Sequence, residues 1–549
     1  MKRRSRYLAT KEPEAFTMRS ISFSLCFLLL VFCVPLHAQF DVVIKNGRVI
    51  DGSGNPWYGA DVGIRDGRIV AIGRLDTTQS RRVLDARGMM VAPGFIDVHT
   101  HSEGGIHRTP TANNFIFDGV TSVVTGNCGG SETAIDSFFI QLRQQGISVN
   151  LATLVGHNSV RRAVMGNVQR DPSAEEQSAM ESLVEKAMRQ GAIGLSTGLI
   201  YTPGTYAKTP EVVALAKAAA KYNGIYASHI RNEGNDEQGG VFSAISEAID
   251  VGRAAGIPVE ISHFKVSSKR LWGQSKRTIA LVEKARTEGL DVTVDQYPYT
   301  ASSTSLSVLL PSWALADGDS AVKARLNDPK IRKKIRDQMR HTIVDRNGRY
   351  RLDYAYVSRC QWDSTLNGKN ISQINRLWKR KGTLSNEIQT ALDMVDKGGA
   401  GMVYHTMCEE DVQRIMKYPY SMVGSDAGVI QFGSGVPHPR GYGSNARVLA
   451  EYVRHKKVLR IEEAIRKMTS FPAQRFLLVD RGLIRPGMWA DVVVFDEKTI
   501  ADKATFQKPH AYSEGFLYVL VNGETVIDHG THTGARPGKV LLGPGTRQQ

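Results

Sequence analysis

Cysteine is scarce in this chain. Of 549 residues only five are cysteine, and Cys26 and Cys33 lie in an apolar run near the N-terminus. The other three, Cys128, Cys360 and Cys408, are too few and too odd in number for a disulfide framework. Low-complexity tracts and helical repeats are absent, which excludes a repeat architecture. Acidic residues are in deficit: 70 Lys and Arg face 54 Asp and Glu, for a net charge of +16. Much of the excess falls between residues 321 and 381, including Lys330, Arg332, Lys333, Lys334, Arg336 and Arg340. A nucleic-acid partner would require a recognisable module or interleaved aromatics, and neither is present. The charge reads as a solvated basic surface that favours anionic substrates.

Hydrophobic runs are also short. The one around 21–34 is brief for a membrane span, and Leu36-His37-Ala38 follows it as a tolerable cleavage site. Residues 1–38 therefore read as a signal peptide, with an uncleaved anchor as the alternative. Met18-Arg19 would make a tidier start than Met1. The expectation is a secreted or periplasmic protein, with no stable membrane association after cleavage.

What is present has barrel grammar. The candidate strands are 91–98, 120–126, 149–155, 192–197, 225–229, 259–263, 292–296 and 422–425. Helical patterns separate them, at 174–189, 210–222, 241–255 and 276–288 among others. Eight β/α steps predict a (β/α)8 TIM-like barrel over 91–479, with its active site at the C-terminal strand ends. A doubly wound open sheet is the alternative. The stretch between Tyr299 and Met422 is too long for one connection, so an inserted subdomain is expected over 300–420, near the barrel mouth. Residues 39–90 and 480–549 share another style, with Asn46-Gly47, Asp66-Gly67 and Asn522-Gly523 between apolar strands. Each pair reads as a hairpin, and the two ends as one small β-sandwich domain.

Chemistry-bearing residues recur at the strand ends. His99 and His101 are spaced i, i+2, so an extended strand points both to one face. Cys128, His157, His229, His263 and Asp426 follow at later strand ends. Imidazole, thiolate and carboxylate form the ligand set expected of zinc. His157 stays open between ligand shell and structure. His405 and Cys408 read as the cap and loop before a helix at 409–417, outside the site.

The chain resembles the amidohydrolase superfamily, and within it the D-aminoacylases, or N-acyl-D-amino-acid deacylases. The motifs are Gly94-Phe-Ile-Asp-Val-His-Thr-His101, Gly126-Asn-Cys-Gly129, Leu154-Val-Gly-His157, Leu195-Ser-Thr-Gly-Leu-Ile-Tyr201, Ser228-His-Ile-Arg-Asn-Glu233, Ile261-Ser-His-Phe-Lys265, Tyr297-Pro-Tyr-Thr-Ala-Ser302, Gly424-Ser-Asp426 and His438-Pro-Arg440. The resemblance implies a tight Zn2+ site at Cys128, His229 and His263. It implies a second, weaker and optional site at His99, His101 and Asp426, sharing Cys128. Asp426 would be general base for a water that zinc acidifies toward a pKa of about 7. Tyr201 would donate to the scissile carbonyl. Lys265, Tyr297, Ser303 and Arg440 would bind the substrate carboxylate, with Tyr299 as a rival to Tyr297 because both face one side of an extended segment.

The expected activity is zinc-dependent hydrolysis of N-acyl-D-amino acids to a carboxylate and a free D-amino acid. The alternative is a dipeptidase acting on L-Xaa-D-Xaa. A cyclic-amide hydrolase fits less well, because 194–198 carries no bridging lysine. A barrel that binds without catalysis would show broken ligands, and every expected one is present.

Overall fold

The computed structural model describes residues 39–235 and 239–548; the expected signal peptide lies outside them. Eight short strands form the centre: β1 (Phe95–Asp97), β2 (Val120–Thr125), β3 (Asn150–Thr153), β4 (Gly194–Gly198), β5 (Ile225–His229), β6 (Val259–Ile261), β7 (Val292–Gln296) and β8 (Ser421–Val423). β1, β2 and β3 form one parallel ladder, and β4 to β8 pair in parallel in chain order. Just after β3, Val155 and Gly156 carry the pairing on to β4. At the other seam Thr100 bridges Ala427 in parallel, and the Asp426 N–H donates to the His99 carbonyl at 2.8 Å. The ring is closed, so the open-sheet alternative falls away.

Every residue of β4, β5 and β7 is buried, as strands covered on both faces require. The surrounding helices form where the apolar period is helical. Ala174–Arg189 buries Met180, Val184, Ala187 and Met188 on one stripe. It opens on a capping box, Ser173 with Glu176, and carries Lys186 and Arg189 in its last turn.

The two ends of the chain build one nine-stranded sheet, and Met90–Pro93 pairs antiparallel with Val492–Phe495 where they meet. Ile44, Val62, Ile64, Val492 and Leu520 share its core. The segment read as one strand over 91–98 is thus divided: Met90–Pro93 belongs to this sheet and Phe95–Asp97 to the barrel. The break falls at Pro93-Gly94, where a Cβ on Gly94 would lie 2.2 Å from Thr121 Oγ1.

Asp66-Gly67 and Asn522-Gly523 make the expected hairpins, all four residues having positive φ. Asn46-Gly47 does not. Phe40–Val49 runs straight through it as one strand with a bulge between Ile44 and Gly47. The Asn46 N–H donates to Asp61 Oδ1 at 2.8 Å, and a Cβ on Gly47 would lie 2.4 Å from Val91 Cγ2. Close packing against Val91 requires the glycine here, not a reversal of the chain.

Between β7 and β8, strands Ser302–Ser305, Ala355–Arg359 and Gly401–Tyr404 form an antiparallel sheet, with Gly401–Tyr404 in the middle. Helices Pro329–His341 and Leu384–Asp396 flank it around a separate core that includes Leu306, Ile335, Leu352, Ile374 and Met402.

Candidate metal centre

Five strand ends bring the ligand types together. His99 and His101 follow β1, Cys128 follows β2, His229 ends β5, His263 follows β6 and Asp426 follows β8. Cys128 Sγ lies 3.3 Å from His99 Nε2, 3.4 Å from His263 Nε2 and 3.4 Å from His229 Nδ1. His101 Nε2 is 3.0 Å and His99 Nε2 3.6 Å from Asp426 Oδ1. Two overlapping sets result, Cys128–His229–His263 and His99–His101–Cys128–Asp426, with the sulfur common to both.

A tetrahedral zinc with Zn–N near 2.05 Å and Zn–S near 2.3 Å places its donor atoms roughly 3.3–3.6 Å apart. The two sulfur–nitrogen distances of the first set meet that spacing. His229 Nδ1 and His263 Nε2, at 2.8 Å, would part by about half an ångström around an ion. The donor set fits zinc. Burial works against a thiolate at Cys128, yet His99, His263 and His229 hold its pKa well below the usual thiol value. Burial likewise opposes charge on Asp426, but Arg440 and the neighbouring imidazoles keep its carboxyl well below the ordinary range. Cys128, His263 and Asp426 all have left-handed backbone, with φ of 53°, 35° and 53°. The turns at these strand ends are bent to aim the side chains inward.

The rings are oriented by carboxylates that the sequence reading did not assign. Asp295 Oδ2 lies 3.2 Å from His99 Nδ1, leaving Nε2 for the centre, and Asp295 Oδ1 accepts from the His263 N–H at 2.9 Å. Glu233 Oε1 is 3.1 Å from His263 Nδ1 and also accepts from Lys265. Asp97 accepts from the His99 and Ser425 amides, tying the first strand end to the last. A charged residue inside an otherwise apolar strand is the available signal for Asp97 and Asp295. For Glu233 it is the position four residues after His229.

A cavity of about 290 Å³ opens beside the centre, lined by Tyr201, Lys265, Tyr297, Ser303 and Asp426 among others. The Tyr201 hydroxyl accepts from Thr304 Oγ1 at 3.1 Å, and its ring meets the His229 ring edge-on at 4.7 Å. Burial first, then the Cys128 charge, push its pKa well above the usual phenol value, so it stays a donor. Arg440 pairs with Asp426 Oδ2 at 2.8 Å and lies over the Tyr297 ring at 4.6 Å. The Ser303 hydroxyl donates to the Met402 carbonyl, while its own carbonyl accepts from Arg440 at 3.3 Å. Tyr299 does not share the Tyr297 side. Both rings meet His438 edge-on, but Tyr297 lines the cavity while Tyr299 packs on Phe506 with Arg447 over its ring, because the chain turns at Pro298 and the Tyr299 N–H reaches the Tyr297 carbonyl.

His157 is in neither ligand set. Its Nε2 lies 2.8 Å from Glu211 Oε1, and Glu211 also binds the buried Arg161. Its neighbour Asn158 holds the site walls together. The Asn158 amide donates to the Gly198 and Tyr201 carbonyls and accepts from the Gly198 N–H. A Cβ on Gly129, the residue after Cys128, would lie 2.1 Å from Asn158 Oδ1. One side chain thus clamps the Tyr201 loop and packs close against the thiolate turn. His405 meets the Tyr356 and Phe506 rings edge-on, and Cys408 donates to Asp411 at the start of Glu409–Lys417, outside both ligand sets.

Comparison with known proteins places this geometry. The model of the amidohydrolase family matches residues 82–527. The chain is 37% identical to an N-acyl-D-glutamate deacylase of Alcaligenes xylosoxydans xylosoxydans, over 92% of this chain and 97% of that protein. The solved N-acyl-D-glutamate deacylase of Bordetella bronchiseptica, complexed with zinc and a phosphonate mimic of the tetrahedral intermediate, superposes with a TM-score of 0.78. It is 35% identical, over 92% of this chain and 99% of its own. A solved D-aminoacylase, described as having a binuclear metal centre with one-metal activation and second-metal attenuation, gives a TM-score of 0.77. Its identity is 34%, over 92% of this chain and all of its own.

Proposed function

The chain belongs to the amidohydrolase family, in its D-aminoacylase branch, and from that premise we propose that it is a zinc-dependent deacylase of N-acyl-D-amino acids. The observation that carries the reading is the pair of ligand sets sharing Cys128, with Asp426 and Tyr201 on the wall of the same cavity. Cys128, His229 and His263 hold the tight zinc; His99, His101 and Asp426 offer a second, weaker position. Zinc supplies Lewis acidity and makes water acidic enough to react near neutral pH.

This chain's residues do the rest. The Tyr201 hydroxyl donates to the amide oxygen as negative charge gathers there. Asp426 accepts a proton from the attacking water and delivers it to the leaving nitrogen as the C–N bond breaks. The products are a carboxylate and a D-amino acid. Arg440 and Lys265, beside Tyr297, meet the substrate α-carboxylate, and the planar guanidinium suits its two oxygens.

The cavity also bears on the dipeptidase alternative. An aminoacyl group brings an ammonium that needs a carboxylate. Of the two acids lining the cavity, Asp426 is the proton carrier and Glu233 orients His263 and holds Lys265, so neither is left for an ammonium. This favours N-acyl substrates. The test is kcat/KM of the zinc-loaded protein on N-acetyl-D and N-acetyl-L leucine and methionine, beside L-Xaa-D-Xaa dipeptides. A general L preference, or faster dipeptide hydrolysis, would refute the reading.

We also propose that residues 1–38 direct export and are removed, leaving a mature N-terminus near Gln39. N-terminal sequencing of secreted or periplasmic material decides this; a chain that retains Leu28 to Val34 is anchored instead.

A further inference from the structure

We propose that Arg349 forms a second anion-binding position in the active-site cavity, so that the preferred substrates carry a carboxylate beyond the α-carboxylate. The inference rests on the deacylase reading above. Arg349 belongs to the insert between β7 and β8 and lines the same cavity as Tyr201, Lys265 and Asp426.

Among the other cations near this cavity, Lys265 and Arg440 serve the α-carboxylate and face Glu233 and, at 2.8 Å, Asp426, while Arg231 meets Glu247 at 2.9 Å. Arg349 is different. Among the described residues no carboxylate pairs with it, and its side chain makes one hydrogen bond, from Nη2 to the His405 carbonyl at 2.9 Å. A guanidinium has five N–H donors, so most of this one's fork is open.

The group is nevertheless held in place. Its central carbon lies 4.7 Å from the centroid of the Tyr354 ring and 5.6 Å from that of Trp272. Trp272 is itself pinned by its Nε1–H donating to the Thr406 carbonyl at 2.8 Å. Aromatic contacts fix the plane of a guanidinium while leaving its edge free, which pre-orients the fork for a planar, two-oxygen anion. A carboxylate fits that fork, and neither acid on the cavity wall, Glu233 or Asp426, pairs with it. A substrate carboxylate can fill it.

The second carboxylate has two possible sources: the side chain of the D-residue, or the far end of the acyl group. Two matched pairs separate them. N-acetyl-D-glutamate against N-acetyl-D-glutamine changes only the side-chain charge. N-succinyl-D-leucine against N-butyryl-D-leucine changes only the acyl end. In the wild-type enzyme, kcat/KM for the dianionic member of one pair should exceed its neutral partner by about 10- to 100-fold, as expected of a charged hydrogen-bonded contact.

Arg349→Met keeps bulk against Tyr354 and Trp272 and should bring that ratio close to one. Arg349→Lys should restore part of it. Because each ratio is taken within one variant, losses of folded protein cancel. No preference in either wild-type pair, or a preference that survives Arg349→Met, would overturn the proposal. If no N-acyl-D-amino acid is hydrolysed, the deacylase reading falls, and calorimetry with both matched pairs on wild type and Arg349→Met still decides the anion site. Tighter binding of the dianionic member of either pair that Arg349→Met abolishes supports it; equal binding within both pairs refutes it.

Discussion

Replacing Asp426 with asparagine separates proton transfer from metal holding. The primary set, Cys128, His229 and His263, does not include Asp426, so Asp426→Asn should retain one tightly bound zinc. The side chain is isosteric and keeps an oxygen, but it no longer takes a proton from water. Losing a positioned acid/base costs about 10²- to 10⁴-fold in turnover, or about 3–5 kcal/mol of barrier. The folded state should also weaken. Asp426 pairs with Arg440, and the two side chains are 10% and 5% exposed. Deleting one partner of a buried pair costs about 3–5 kcal/mol, but the retained oxygen and the adjoining cavity reduce this to about 1–3 kcal/mol. The assay is kcat beside zinc content and Tm on the same preparation. A fall of a few degrees in Tm with a collapse of kcat at full zinc is the expected pattern. Near-normal kcat with zinc bound would remove Asp426 from proton transfer. Loss of the zinc would instead make it a primary ligand.

Cys128→Ala should lose zinc and activity together, read by elemental analysis and turnover; full zinc retention would exclude the thiolate as a ligand. Asn158→Ala should lower kcat about 10- to 100-fold with zinc retained, because the Tyr201 loop loses its clamp and the donor its aim; an unchanged kcat would show that the loop holds itself. The Glu211 pKa is depressed by His157 and Arg161 despite burial. Its contribution to stability is therefore full above the unfolded carboxyl value, near 4.3, and is lost as pH falls through the lower folded value. Glu211→Gln should reduce urea stability at neutral pH and flatten the acid side of the stability profile, and an unaltered acid limb would refute this.

The barrel was legible because its strands and helices alternate with clear periods, and because ligands at a barrel's C-terminal face must come at strand ends. His99 and His101 announce themselves by their i, i+2 spacing. Asp295 and Glu233 do not, since their partners are set by which strands neighbour one another across the ring. The same limit applied to His157, whose fate depended on Glu211, 54 residues away. Asn46-Gly47 looks like a hairpin because a left-handed asparagine before glycine suits a bulge as well; here only Asn46 is left-handed, and contact with Val91 is what requires the glycine. An extended period puts Tyr299 on the Tyr297 side, but the turn at Pro298 breaks that period.

The positive φ angles at Cys128, His263 and Asp426 have a consequence for anyone who engineers this protein. A side chain held in left-handed backbone costs roughly 1 kcal/mol or more, whereas glycine adopts it freely. At Asp426 and His263 that gain is opposed by the buried partners a glycine would abandon, Arg440 and Glu233, but Cys128 has no ion-pair partner outside the centre itself. In the metal-free chain, glycine at Cys128 would relax the backbone while abolishing the chemistry, so a thermostability screen without an activity gate would be drawn to this position, enriching barrels that fold better and do nothing.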